Sequence, residues 1–410
     1  MKGFRYLTSL PLFLLLVFFL PSYSWPQMTL GQYQDEAPFR TWNTFGITTA
    51  PSLGLGETRL TLVSDCSVAL SNPALLGLLP KVTITLNSSL SSASFFKYSL
   101  INTGVLYSQG NISLSLLALD FAGASLRVKS WTLALSVSLL ETYDRPRAIA
   151  ESYDYSLEFD QGGELKDINF SIARKIFGPM RAGIGLNFVS GDFKKEVIES
   201  ETMPSITITD SLSHKFRGFY LNGGLVLDLH KIIVAAIFRT AFKKKADSYS
   251  LKQYYAPDGN TDIKIEASAQ SEYSQPFVAG LGLSYQFSSD LRFASDIIFY
   301  KWSKYHAIYF GEEDEIERRF KDTVKIGAGI EQLTHVKLFG QKVDVPLRAG
   351  LSYDPQPMKF PGSSYFYFSL GTGLHWWKFN LDGGALVGRE SGSGNSLSAK
   401  KFALSLSFKL

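Results

Sequence analysis

Cysteine and histidine are scarce in this chain: Cys66 stands alone, and His214, His230, His306, His335 and His375 are the five histidines among 410 residues. One thiol cannot close an internal disulfide, so some other means must hold the fold together. The histidines are scattered and none sits in a catalytic or ligand motif, so no catalytic residue, metal or cofactor is expected. Charge of one sign is lacking too. Lys and Arg number 41 against 37 Asp and Glu, a net +4, which gives no footprint for nucleic acid. Past the N-terminus no stretch approaches the roughly 18 uninterrupted apolar residues of a helical span, which argues against a helical membrane protein.

The beginning of the chain is different. Lys2 and Arg5 precede an apolar stretch from Leu10 to Leu20, followed by Pro21 and small residues. That is the pattern of a secretory signal peptide, expected to span 1–24. The alternative, a permanent anchor, would need about 20 apolar residues. Cys66 is not preceded by a lipobox-like spacing, so lipid attachment there is not expected. Removing Lys2 and Arg5 from the net +4 leaves about +2 on the exported chain.

What the sequence has in abundance is alternation. In "KKFALSLSFKL", Phe402, Leu404, Leu406, Phe408 and Leu410 fall on one side, and Lys401, Ala403, Ser405, Ser407 and Lys409 on the other. Val82, Ile84 and Leu86 alternate with Thr83 and Thr85. Trp131, Leu133, Leu135 and Val137 alternate in the same way with Thr132, Ala134, Ser136 and Ser138. A period of two is strand geometry. It fits half-buried soluble sheets, as in a β-sandwich, or a membrane barrel with an apolar outside and a polar lumen. The segments run about ten to fifteen residues, longer than the usual 5–6 of soluble sheets. Aromatics, 20 Tyr, 31 Phe and 6 Trp, gather near their ends, where they could form interfacial girdles. A sheet crosses a membrane only if it closes. The expected fold is therefore all-β, a transmembrane antiparallel β-barrel over 81–410.

Counted from the C-terminus, the alternating segments number about fourteen, from 398–410 back to 81–106. An even number puts both barrel ends on the periplasmic side. The connections assigned there are short, namely "FGPM", "FSSD" at 287–290 and "WWKF" at 376–379. Those assigned outside are longer and more polar, including Ser200 to His214 and the charged run at 306–320. Short inside and long outside is the asymmetry of such barrels.

Four stretches carry a resemblance. "GLGETRLTLVSDCSVALSNPALLGLLP" places Asn72-Pro73-Ala74 just before the first strand, and "LRFASDIIFYKWSKYHAI" carries Trp302-Ser303 near the end of a long one. "RRFKDTVKIGAGIEQL" opens a return strand with Phe320-Lys321-Asp322, and "PLRAGLSYDPQPM" contains Arg348, Gly350, Tyr353, Asp354 and Pro357 in an Arg-x-Gly-x-x-Tyr-Asp-x-x-Pro pattern. In this order the chain resembles the outer-membrane long-chain fatty-acid transporter family, the FadL/TodX-type channels. It departs from that pattern at its last residue, Leu410, where an aromatic is commoner, and the middle of the chain carries no matching motif.

The resemblance implies that 25–80 folds inside the barrel as a hatch. Asn72 would close a local turn, Pro73 would stop a helix, and Ala74 would leave room against the wall. The competing reading is a simple capped turn. Cys66 is expected to be a small buried residue of this plug. The resemblance also implies passive uptake of long-chain fatty acids or other hydrophobic small molecules, released sideways through a gap in the wall. A carboxylate ligand needs a cation, and Lys301, Trp302, Lys304 and Arg348 are the candidate ligand-binding residues, with interfacial or lumen-lining roles as the alternative. Partners expected are the hydrophobic ligand and outer-membrane lipids, the protein acting as a monomer. A general porin, a structural or secretion-accessory barrel and an outer-membrane lipase or protease are the rival readings, the last disfavoured by the scattered histidines.

Overall fold

A computed structural model of the protein describes residues 49–62, 65–98, 101–102, 105–106, 110–151, 155–202, 205–256, 261–313, 320–338, 340–357, 359, 362–392 and 398–410. The expected signal peptide and the first part of the expected hatch, 25–48, lie outside the described residues. From Val82 on, the described residues form a closed barrel of fourteen antiparallel strands. They are β1 (Val82–Tyr98), β2 (Gly110–Val128), β3 (Trp131–Thr142, continued by Arg145–Glu151), β4 (Tyr155–Gly162 and Glu164–Phe177), β5 (Met180–Thr202) and β6 (Ser205–Asp228). Next come β7 (Ile232–Arg239 and Phe242–Ala256), β8 (Thr261–Gln275 and Val278–Gln286), β9 (Leu291–Tyr300, then Ala307–Tyr309) and β10 (Glu312–Glu313 and Thr323–Leu338). The last four are β11 (Gln341–Pro355), β12 (Ser364–Trp376), β13 (Phe379–Ser391) and β14 (Ser398–Lys409). Each pairs with the next, and β1 pairs with β14 from Thr83↔Lys409 to Ala93↔Ala399, which closes the ring.

The barrel is apolar outside and polar inside. Along β1, Thr83, Thr85 and Asn87 are each 0% exposed, while Ile84 and Leu86 are each 45% exposed. β3 repeats this with Ser136 buried and Leu135 at 50%. Such a surface is stable only against hydrocarbon, and closure leaves no unpaired edge to be solvated there. Phe170, Phe188 and Phe219 meet ring to ring on the outer face, with centroids 6.4 and 5.3 Å apart. Beyond them β5 turns polar.

The turns at the end where the barrel starts and finishes are short. Lys129, His230 and Trp377 sit there with φ of 56°, 69° and 53°, the left-handed backbone that tight hairpins require. At the other end the described residues of the expected polar interval Ser200 to His214 are strand and not loop. β5 and β6 continue through it in unbroken register from Leu227↔Met180 to Ser205↔Thr202. Water wets both faces of a strand that has left the bilayer, so the apolar–polar contrast fades and the strand reads as a loop. Within 306–320, Ala307–Tyr309 and Glu312–Glu313 form a short pair.

Fourteen strands enclose a lumen too wide for wall side chains to fill. Residues 49–62 and 65–80 lie against its inward-facing groups. They include α1 (Ala50–Gly54), α2 (Val68–Ser71) and a 3-10 turn, Pro73–Leu78. α1 packs against β11 to β14, and the 3-10 turn against β3 to β6 across the ring.

Candidate functional site

The wall is least regular at β3. A bulge at Leu140 breaks its register with β4, so that Glu141 and Thr142 are both buried. The Tyr143 amide donates to the Gly163 carbonyl at 2.8 Å, and the tyrosine ring is fully buried inside the barrel. The ladder between β2 and β3 runs from Val128↔Trp131 only to Phe121↔Ser138, whereas β1 stays on β2 as far as Tyr98↔Gly110. β7, β8 and β9 are interrupted too, at 240–241, 276–277 and 301–306. Three of these interrupted strands, β7 to β9, meet β3 and β4 around one cavity.

Leu140, Leu165, Phe242, Gln275, Tyr300 and Trp302 line it, with Glu141, Arg239 and Lys244. Lys244 donates to the Tyr143 hydroxyl at 2.7 Å and lies 3.4 Å from Glu141. Its Nζ is 4.5 Å from the ring centre of Phe216 and 5.3 and 5.4 Å from those of Tyr143 and Tyr273. Three aromatic faces thus solvate an ammonium that water does not reach. Arg239 covers Tyr220 and Phe242, at 5.6 and 5.8 Å, and these two rings stack at 4.8 Å. The Tyr220 hydroxyl donates to Asp167. Trp302 lies parallel to Tyr300, 6.3 Å away at an interplanar angle of 7°. The arrangement is an aromatic wall with two cations and balancing carboxylates, a chemistry that suits an apolar body carrying a polar or anionic end.

The sequence-derived ligand candidates are not brought together. Trp302 is in the cavity wall. Lys301 is beside it, with Nζ 2.8 Å from Asp322, which also accepts from the Ser303 amide at 2.8 Å. The pair therefore fastens the turn that presents Trp302. Lys304 is exposed at that turn. Arg348 is elsewhere, buried between Glu331 and Asp382 at 2.7 Å from each, with Arg292 on Glu331 and His375 on Asp382. Lys244, Arg239 and Glu141 were not singled out by sequence. One signal was available: Phe242, Lys244 and Ala246 alternate with Lys243 and Lys245, and only the first set faces inward.

Asn72 behaves as its sequence context suggests. Its side chain accepts from the Ala74 amide at 3.2 Å and donates to the Leu60 carbonyl at 2.7 Å. Pro73 opens the 3-10 turn, and Ala74 is fully buried. The wall has glycines where this segment touches it. A Cβ at Gly183 would strike the Pro73 and Ala74 backbone, and one at Gly350 would strike Gly56. Wall polar groups hold its backbone: Asn222 reaches the carbonyls of Ala69 and Leu70 at 2.9 and 3.1 Å. Cys66 is buried, its amide bonded to Thr85 at 3.1 Å. The motif in β11 is structural in the same sense. Gly350 admits the Leu55–Gly56 backbone, Asp354 pairs with Lys325 at 3.2 Å, and Lys325 reaches Glu57 at 2.7 Å.

No family model matches the chain, and no curated protein matches its sequence. Its structure does have solved relatives. A Pseudomonas aeruginosa FadL homologue superposes with a TM-score of 0.66 at 13% identity, over 89% of this chain and 99% of that one. The Ralstonia pickettii toluene transporter TbuX gives 0.58 at 12% identity, covering 90% and 99%. The Pseudomonas putida toluene transporter TodX gives 0.57 at 14% identity, covering 89% and 99%. With its lipid-facing outer surface and polar lumen, the chain has the FadL/TodX-type fold and is a β-barrel of the bacterial outer membrane.

Proposed function

We propose that this protein is an outer-membrane channel for passive uptake of long-chain fatty acids or other hydrophobic small molecules, with residues 25–80 as its hatch. The observation that carries the reading is the aromatic cavity holding Lys244 and Arg239 beside the point where the β2–β3 ladder ends. The β2–β3 ladder stops at Phe121↔Ser138 while the β1–β2 ladder runs on to Tyr98↔Gly110, which gives a solute leaving sideways a short route there. The shared fold supports the same direction, since two of the similar barrels are toluene transporters.

Lys244 and Arg239 are the cations best placed for a ligand carboxylate, because a buried anion is costly without a partner. Trp302 is a wall of the path, Lys301 positions it through Asp322, and exposed Lys304 meets an anionic ligand first. Arg348 acts on the hatch side, through its ion network. The cavity volume is about 40 Å³, against about 150 Å³ for an apolar cavity that takes up benzene. Ligand entry therefore requires ring movement, with Trp302 and Phe242 the movable walls. The test is oleate and toluene binding to the purified barrel, with native mass spectrometry for co-purified hydrophobes. Binding of neither ligand, together with an empty mass spectrum, would exclude the reading and favour a secretion-accessory barrel.

A further inference from the structure

The short-turn rim of the barrel holds a group of cations that the channel reading leaves unused. Lys129 is exposed in the β2–β3 turn, and Arg174 and Lys175 are exposed where β4 approaches its turn into β5. Arg174 is on the lipid-facing side, because Ile168 and Phe170 of the same parity are 38% and 49% exposed while Ala173 is buried. It stands directly across from Trp131 in the β3–β4 register, with its guanidinium 4.8 Å from the indole. Ile176 and Phe177 project beside it at 53% and 65% exposure.

Among the described residues, no ion pair reaches Lys129, Arg174 or Lys175. The rim acids are engaged elsewhere: Asp228 pairs with Arg181 at 3.4 Å, and Asp290 and Asp344 both lie on His335, at 3.4 and 2.7 Å. An arginine on the lipid-facing surface still needs an anion. At this height the membrane supplies one, the phosphate of a phospholipid headgroup. Guanidinium matches phosphate geometry through paired donors, and an indole is at home at the same interfacial depth.

We propose that the β2–β3 and β4–β5 turns form a binding site for an anionic phospholipid of the periplasmic leaflet. Arg174 holds the phosphodiester, Lys129 and Lys175 add positive charge at the rim, Trp131 flanks the phosphodiester, and Ile176 and Phe177 contact the start of the acyl chains. The site is independent of the hydrophobic cavity, which lies inside the barrel.

The test is native mass spectrometry of the full-length purified barrel with phosphatidylglycerol or phosphatidylcholine. Wild type should retain phosphatidylglycerol preferentially. Each of Lys129→Gln, Arg174→Gln and Lys175→Gln should cut that preference roughly fivefold, and Lys264→Gln at the opposite end should not change it. Inorganic phosphate at equal concentration should not displace the lipid; full displacement would mean a free-phosphate site and overturn the proposal. Unchanged lipid preference in all three single variants would overturn it as well. A photo-crosslinker at position 177, in an otherwise unchanged barrel, gives a second reading: it should label phosphatidylglycerol, and labelling of phosphatidylcholine to the same extent would count against the site.

Discussion

Asp296 on β9 accepts hydrogen bonds from the amides of both Arg59 and Leu60, at 2.6 and 3.0 Å. One wall carboxylate thereby holds two consecutive peptide groups of the N-terminal segment in the lumen. Asp296→Ala strands both donors, and each buried, unsatisfied group costs about 1–3 kcal/mol. The expected outcome is faster hydrogen exchange in 55–62, with the heat-modifiable barrel retained. Unchanged exchange there would show that the segment is held by other contacts.

Gly350 offers a steric version of the same test. Its missing side chain leaves space for the Gly56 nitrogen and the Leu55 carbonyl carbon, and both are backbone atoms, which cannot swing aside. Gly350→Val should displace the segment and raise single-channel conductance in planar bilayers, toward the value reached when 30–70 is deleted. Conductance at the wild-type level in both variants would argue that this segment does not block the pore.

The two kinds of cation near the cavity separate by assay. Lys244→Met should weaken oleate binding about tenfold, about 1.4 kcal/mol, while leaving toluene binding within twofold, roughly 0.4 kcal/mol. Lys301→Ala should weaken both ligands together, since Lys301 acts by fixing the Trp302 turn. A selective loss of oleate in Lys301→Ala would instead make Lys301 the carboxylate partner.

The Lys301–Asp322 clasp has a defined pH window. Burial alone would raise the Asp322 carboxyl, but hydrogen bonds from Lys301 and Ser303 more than offset it and leave it below its ordinary value. A depressed carboxylate stabilises the folded turn above its unfolded value, about 3.9, and that stabilisation disappears as pH falls through the lower folded value. Trp302 fluorescence, taken as the difference from Trp302→Phe, should hold steady from neutral pH to about 4 and change below it. Asp322→Asn should show the low-pH signal at every pH.

The fourteen strands were legible because lipid and lumen impose opposite chemistry on successive residues, so Ile84 and Thr85 or Leu135 and Ser136 declare their faces. The signal fails wherever that contrast does. Beyond the bilayer the β5–β6 hairpin is wet on both faces and read as a loop. At β3 the bulge at Leu140 turns Glu141 inward against its expected parity, and nothing in "LLETYD" announces it. The cavity draws side chains from five strands between 140 and 302, a proximity created by register rather than by sequence spacing. Arg348 was found by motif, but its partners Glu331 and Asp382 lie on β10 and β13, so only the folded barrel reveals that its charge is already matched.

The Ala50 amide donates to Asn87 of β1 and to Ser405 of β14, at 3.3 and 2.9 Å. These are the first and last strands, the two lips of the seam that closes the ring. The N-terminal segment is thus part of the clasp, since one of its peptide groups touches both strands of the seam. Displacing the segment would therefore strip two polar contacts from the strand pair that closes the ring, so a change at residue 50 is felt at the seam as well as in the lumen.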